Sequence, residues 1–298
     1  MHALILGCGY VGTAVGRRLL AAGHEVTGIR RTTEGVETLR QHGLKAIRAD
    51  ITDSAALANL PDADWLIYSA SVGRSGTQSA RNIFVDGLEQ TIATVGAREK
   101  PPDRFIYTSS TGVYGDHNGA WVDESTDPCP LGERGQLLVE AEHVALNRAA
   151  DHGIDPTVVR FGGLYGPTRY GLHRYLDRPV TAGYRNATHR DDAAGAIVHL
   201  LIEDKAREET VLVVDDEPAD RWVFAEWLAD ACEVDPPQLV TIEERLQDTS
   251  LSTTAVERIR SNKRCRNTKL RALGYDLEMP TVWAGYQSAI ERYRSDTS

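Results

Sequence analysis

Along its first two hundred residues the chain alternates short, continuous apolar runs with longer stretches of helical period. The runs "ALIL" (3–6), "EVTGI" (25–29), "KAIRA" (45–49), "DWLIYSA" (64–70), "RFIYTSS" (104–110) and "PTVVRF" (156–161) read as strands, and "TVLVV" (210–214) as a seventh. Amphipathic segments lie between them: "VGTAVGRRLLAAG" (11–23), "SARNIFVDGLEQTIATVGARE" (79–99) and "GQLLVEAEHVALNRAADHG" (135–153), with Gly23 and Gly153 where helix C-caps belong. Strands that are apolar throughout, separated by helices, call for a parallel sheet covered on both faces. The predicted class is a doubly wound α/β fold of seven strands.

Past residue 161 the texture changes. "GGLYGPTRYGLHRYLDRPVTAGYRNATHRDD" (162–192) is rich in Gly, Arg and Tyr, lacks a clear period, and reads as a long functional loop. Short helices follow, including "RWVFAEWLADACEV" (221–234), "RNTKLRALGY" (266–275) and "TVWAGYQSAIERYR" (281–294). The expected division is a nucleotide-binding core over 1–160, rejoined by 188–215, with 161–187 and 216–298 forming a small, mostly helical substrate-binding lid.

Composition narrows the function. Of 298 residues, 41% are apolar and 26% charged, ordinary for a folded soluble domain. A formal charge of -10, with only five Lys, argues against a nucleic-acid partner, which would need a basic stripe. No apolar run reaches the ~18 residues of a membrane span, and the N-terminus carries no cationic leader, so a cytoplasmic protein with no membrane partner is expected. The four cysteines show no C-x-x-C pair and suggest neither a disulfide framework nor a metal site; Cys8 reads as a small buried residue.

The chemistry begins at "GCGYVG", where Gly7, Gly9 and Gly12 have the G-x-G-x-x-G spacing after a strand and before a helix. The first glycine allows a tight turn, the second a close approach of backbone to pyrophosphate, and the third close packing of helix on strand. Tyr10 and Val11 lie in that turn, where helix N–H groups bind phosphate. An acidic residue closing the second strand would hold both ribose hydroxyls of NAD. Here Arg30 and Arg31 stand instead, and two guanidiniums suit a 2′-phosphate, so NADP(H) is the expected cofactor with NAD as the alternative. Asp50 and Ile51, after the third strand, are placed to meet the adenine; the alternative for Asp50 is a helix N-cap, a role that Asp53 satisfies equally well. Ser69 and Ala70, after the fourth strand, and Thr108, in the fifth, complete the expected cofactor contacts in this half. The chain has no G-K-[ST], which excludes a P-loop.

With "RFIYTSSTGVYGD" (104–116), "RFGGLYGP" (160–167), "HRDDAAGAI" (189–197) and "KRCRNTKLRALGY" (263–275) added, nearly the whole chain resembles the extended short-chain dehydrogenase/reductases, the NAD-dependent epimerase/dehydratase group. The resemblance implies that Ser110 hydrogen-bonds the reacting carbonyl or hydroxyl, and that Phe161 and Gly162 meet the nicotinamide carboxamide through backbone atoms. It also implies a Tyr-x-x-x-Lys pair on the helix after the fifth strand. Set against "LGERGQLLVEAE", that pattern puts Gly132 at the Tyr and Gln136 at the Lys, and no Lys lies between Lys100 and Lys205. The chain therefore resembles an atypical branch without the usual proton-transfer pair; Asp86, where the family commonly has Asn, is a further departure.

Proton transfer is worth about 10²- to 10⁴-fold, so a substitute is sought. Tyr165, after the sixth strand, and His189, before a helix, are the candidates, each with a bland alternative: a packed ring and a loop-ordering imidazole. Glu133 is expected to face solvent, Tyr114 to close a turn, Arg160 to pair internally, and Arg74 to meet an anionic substrate or solvent. Two functions stay open. One is an oxidoreductase or epimerase-like enzyme for a small polar or sugar-like molecule, possible as a homodimer. The other is a non-catalytic NADP(H) sensor or partner-binding protein.

Overall fold

The computed structural model describes residues 1–72 and 79–297. Seven strands form a parallel sheet: β1 (His2–Leu6), β2 (Glu25–Arg30), β3 (Lys45–Arg48), β4 (Trp65–Tyr68), β5 (Arg104–Ser110), β6 (Asp155–Phe161) and β7 (Glu209–Val213). Their order is β7-β6-β5-β4-β1-β2-β3, which reverses direction between β1 and β4. All seven apolar runs of the sequence are strands of this sheet. Ile5 is paired with Gly28 on one side and Ile67 on the other, and Ile67 with Ile106. Such residues are buried from both faces, which is why the runs lack alternation.

The principal crossovers are α1 (Tyr10–Ala21), α2 (Thr33–Gln41), α3 (Ser54–Ala58), α4 (Gly87–Gly96), α5 (Glu133–Asp151) and α6 (Arg190–Ile202). Val11, Val15 and Leu19 turn one face of α1 inward, and Gly23 follows the helix with φ +83°. A π-helical turn at Asn82–Asp86 precedes α4. There the carbonyl of Ile83 accepts the hydroxyl of Tyr68 at 2.5 Å. Arg148 of α5 pairs with Glu89 of α4, and Arg81, just before the π-helical turn, with Glu140 of α5, so the surface considered for a dimer is charged at these positions.

The chain divides into two compact units, the first comprising 1–110, 136–160 and 193–211, the second 111–135, 161–192 and 212–298. The segment 111–135, expected in the nucleotide-binding half, falls in the second unit, and the reason is hydrogen bonding. Trp121–Val122 pairs in parallel with Arg264–Cys265, the amides of His117 and Gly119 donate to the carbonyl of Asn262, and Lys263 Nζ donates to the carbonyl of Gly115 at 2.9 Å. The long 162–192 stretch also holds more structure than a loop. Gly163–Tyr165 pairs with Ala187–His189, Tyr184–Arg185 with Ala219–Asp220, and Val180–Thr181 with Leu239–Val240. In this unit α7 (Arg221–Ala231) and α8 (Val282–Thr297) supply a core of Phe224, Leu228, Val282, Tyr286 and Ile290 around Tyr165. Helices at Ile242–Leu246 and Thr253–Arg260 add two elements the periodicity did not reveal. Among the described residues no helix is long and apolar enough to cross a membrane.

Candidate functional site

In the first unit, the turn between β1 and α1 is shaped by absent side chains. Gly7 has φ +71°, and a Cβ there would lie 2.4 Å from the Cα of Ala70 beyond β4, so the two segments touch through backbone. Gly9 is the N-cap of α1; no side chain caps it, and the first turn of the helix holds no acidic residue. The positive end of a twelve-residue helix is thus left to whatever anion approaches the turn. The position is the carboxyl edge of the sheet where strand order reverses, the usual ligand crevice of an open α/β sheet. Cys8 is fully buried and burial pushes its thiol up to about 12, which makes it a packing residue rather than a nucleophile.

Arg30, at the end of β2, lies across this turn. Its Nη1 donates to the carbonyl of Cys8 at 3.2 Å, and a Cβ on Gly9 would fall 2.8 Å from the same nitrogen. On the other side its Nε lies 2.6 Å from where a Cβ of Gly35 would stand, in the first turn of α2 capped by Thr32. The guanidinium therefore spans the glycine turn and the start of α2, with exposed Arg31 next in sequence. Asp50 is half-buried and accepts the amide and hydroxyl of Thr52, at 3.0 and 2.8 Å, while Asp53 caps α3. Ile51 is buried beside it, and the amide of Ser69 donates to Leu6 at 2.9 Å. Thr108 donates its hydroxyl to the carbonyl of Tyr68 at 3.3 Å, joining β5 to β4. These residues fit a dinucleotide: a cradle that any Cβ would fill, an uncapped helix start, and cations where NAD-binding chains place a carboxylate.

Ser110 ends β5, half-buried. Its neighbour Ser109 faces the other way and donates to Glu142 Oε1 at 2.5 Å. Glu142 is 3% exposed and takes Arg160 in a bidentate pair, with Nη2 at 2.6 Å and Nε at 3.0 Å. Arg160 thus pairs internally, as its place in an apolar strand requires. The sequence hid Glu142 among surface-looking helical glutamates; the signal was the guanidinium in β6 that needed a carboxylate.

The buried face of α5 carries Leu138, Ala141, Glu142 and Ala145, whereas Gln136 is exposed and Glu140 bonds exposed Arg81. Gly132 is half-buried and Gln136 exposed, so neither position of the expected Tyr-x-x-x-Lys pair carries a side chain for proton transfer. Glu133 and Asp86 are exposed.

The second unit holds Tyr165 and His189, and builds both into its core. Tyr165 is 1% exposed, stacked on Tyr286 with ring centroids 5.1 Å apart, its hydroxyl 3.5 Å from the carbonyl of Thr281. Burial drives its hydroxyl well above the ordinary phenol range. His189 is 3% exposed, its ring edge-on to Tyr165 at 5.1 Å, and its Nδ1 accepts the amide of Asp191 at 3.3 Å. Burial lowers its affinity for a proton, against the nearby carboxylates Asp191 and Asp192. Both side chains are therefore enclosed by the core of this unit. Beside them the Arg185 guanidinium lies 5.1 Å from the ring centroids of Tyr165, Tyr175, Phe224 and Tyr286, and donates to the Tyr286 hydroxyl at 3.0 Å.

Phe161 closes β6, and the Gly162 amide is committed to Thr188 Oγ1 at 2.9 Å, so that amide is not the group left for a carboxamide. Tyr114 is buried and closes its turn by donating to the carbonyl of Asp123 at 2.7 Å. Arg74 lies outside the described residues. Among the described residues no group of His, Cys, Asp and Glu is arranged to hold a metal ion.

Comparison with known proteins shows the family and the fold. Residues 3–232 match the family described as NAD dependent epimerase/dehydratase. The chain is 32% identical over 241 residues to Protein YeeZ of Escherichia coli K12, covering 78% of this chain and 85% of that protein. Its fold is similar to a Bacillus cereus UDP-glucuronic acid 4-epimerase solved with NAD, at TM-score 0.76 and 20% identity over the full length of both chains. It is also similar to a human epimerase family protein solved with NADPH, at TM-score 0.77 and 18% identity, covering 98% of this chain and 99% of that one. The chain belongs to the NAD dependent epimerase/dehydratase family.

Proposed function

We propose that the chain binds NADP(H) and acts as an oxidoreductase or epimerase-like enzyme on a small polar or sugar-like substrate, with a non-standard acid/base. The observation that carries the cofactor reading is Arg30, laid across the Gly9 turn from the end of β2 with no carboxylate beside it in sequence. The amides at the start of α1 hold the pyrophosphate, Arg30 and Arg31 hold the 2′-phosphate, and Asp50 and Ile51 border the adenine. The nicotinamide, when bound, supplies or accepts a hydride. Ser110 holds the reacting oxygen of the substrate from the carboxyl end of β5. The human protein solved with NADPH supports the cofactor, and the sugar-nucleotide epimerase supports the substrate class.

A second reading, a non-catalytic NADP(H) sensor or partner-binding protein, draws on the burial of Tyr165 and His189 and on Gly132 and Gln136 standing where the Tyr and Lys are expected. Turnover separates the two. With a panel of carbonyl and sugar-nucleotide substrates, an oxidoreductase saturated in NADPH oxidises cofactor, an epimerase-like enzyme loaded with NADP converts the sugar with no net change of cofactor, and Ser110→Ala slows either by about 10- to 100-fold with the cofactor Kd unchanged. A sensor binds NADPH and NADP with different affinities and forms no product.

A further inference from the structure

Glu142, Ser109 and Arg160 form a buried polar group in the first unit that the cofactor reading does not use. The three residues are 3%, 7% and 5% exposed. One carboxylate accepts the Ser109 hydroxyl and the Nε and Nη2 donors of Arg160, so the helix α5 is joined through Glu142 to β5 and β6 together. Burying an ion pair is a poor way to gain stability, because desolvation offsets the attraction and an apolar pair of similar volume often serves as well. What the group gains is position. Ser109 immediately precedes Ser110, and Arg160 immediately precedes Phe161, at the carboxyl ends of adjacent strands.

We propose that Glu142 is a positioning residue: by holding Ser109 and Arg160 on one carboxylate, it sets the carboxyl ends of β5 and β6 to receive the nicotinamide half of the dinucleotide. The proposal rests on the NADP(H) reading. It makes α5 contribute to the reaction through a buried carboxylate, in a helix that lacks the proton-transfer pair. The adenine half, held by the Gly7–Gly12 turn and Arg30, is independent of it.

The test compares NADPH with 2′-phospho-ADP-ribose, which has the same adenine half and no nicotinamide. Two variants are needed: Glu142→Gln, and the paired Glu142→Met/Arg160→Met, which removes both charges and so leaves no lone buried ion. Each is followed by thermal unfolding, by calorimetry with both ligands, and by the nicotinamide emission of bound NADPH. The expected result is a folded paired variant that binds 2′-phospho-ADP-ribose like wild type, binds NADPH about tenfold more weakly, and loses the emission change on binding. NADPH affinity and emission unchanged in the folded paired variant overturn the proposal, as does an equal loss for both ligands. Wild-type protein that binds neither ligand overturns the NADP(H) reading itself and this proposal with it.

Discussion

In the first unit the amides of Cys8 and Gly9 are spent within the fold, the start of α1 at Gly9 has no capping side chain, and Arg30 lies across the turn with Nη1 on the carbonyl of Cys8. In the second unit Tyr165 and His189, chemically able side chains, are turned into an aromatic core with Tyr286 and Phe224. The contrast explains why residue type alone misleads. A phenol or imidazole does acid/base work only where a substrate can reach it, and here burial both encloses the two side chains and carries the Tyr165 pKa up and the His189 pKa down. A glycine turn needs no titration at all; its function is set by φ and by distance.

The comparison can be broken most severely at Gly7. Gly7→Ala puts a Cβ 2.4 Å from the Ala70 backbone at φ +71°, and neither segment has a side chain that can move aside. Expected is a loss of about 2–4 kcal/mol in chemical denaturation, with no measurable dinucleotide binding. Arg30→Ala is gentler on the fold and sharper on the ligand: NADPH affinity falls about 10- to 100-fold, while NADH affinity moves less than about threefold. An equal drop for both cofactors would mean that Arg30 shapes the turn instead of reading a phosphate.

For the second unit the expected effects are smaller. Tyr165→Phe removes a hydroxyl whose contact is 3.5 Å long and leaves the stacked ring, so turnover or cofactor affinity should change less than about threefold. A loss approaching that of Ser110→Ala would restore Tyr165 as the acid. His189 gives the smallest signal. Its folded pKa is lowered by burial from the ordinary 6.5, so the neutral ring's contribution to stability is present above that pH and fades as the pH falls below it. Asp192 and Asp215, raised by burial, act with the opposite sign, favouring the fold as the pH falls. His189→Gln should therefore lose less Tm than wild type between about pH 7.5 and 5.5; an equal or steeper loss would contradict the burial argument.

Much of the first unit was legible because its code is local. Runs such as "WLIY" are apolar on both faces, and the glycine spacing, the missing carboxylate after β2 and the cap at Asp53 each lie within a few residues. What escaped is long-range. The assignment of 111–135 depends on pairing with residues near 262–265, more than a hundred positions away. Glu142 is identical in type to surface Glu140 two residues earlier; only Arg160 and Ser109, brought to it by the sheet, distinguish them. The depth of Tyr165 and His189 likewise comes from α8, whose Tyr286 stacks on one of them.

The most direct test is calorimetric titration of the full chain with NADPH and with NADH at the same pH and ionic strength. The account predicts binding of NADPH at least about tenfold tighter than NADH, with the difference abolished in Arg30→Ala. Equal affinities for the two would contradict the phosphate-reading role of Arg30, and no heat with either, on folded protein, would contradict the dinucleotide site.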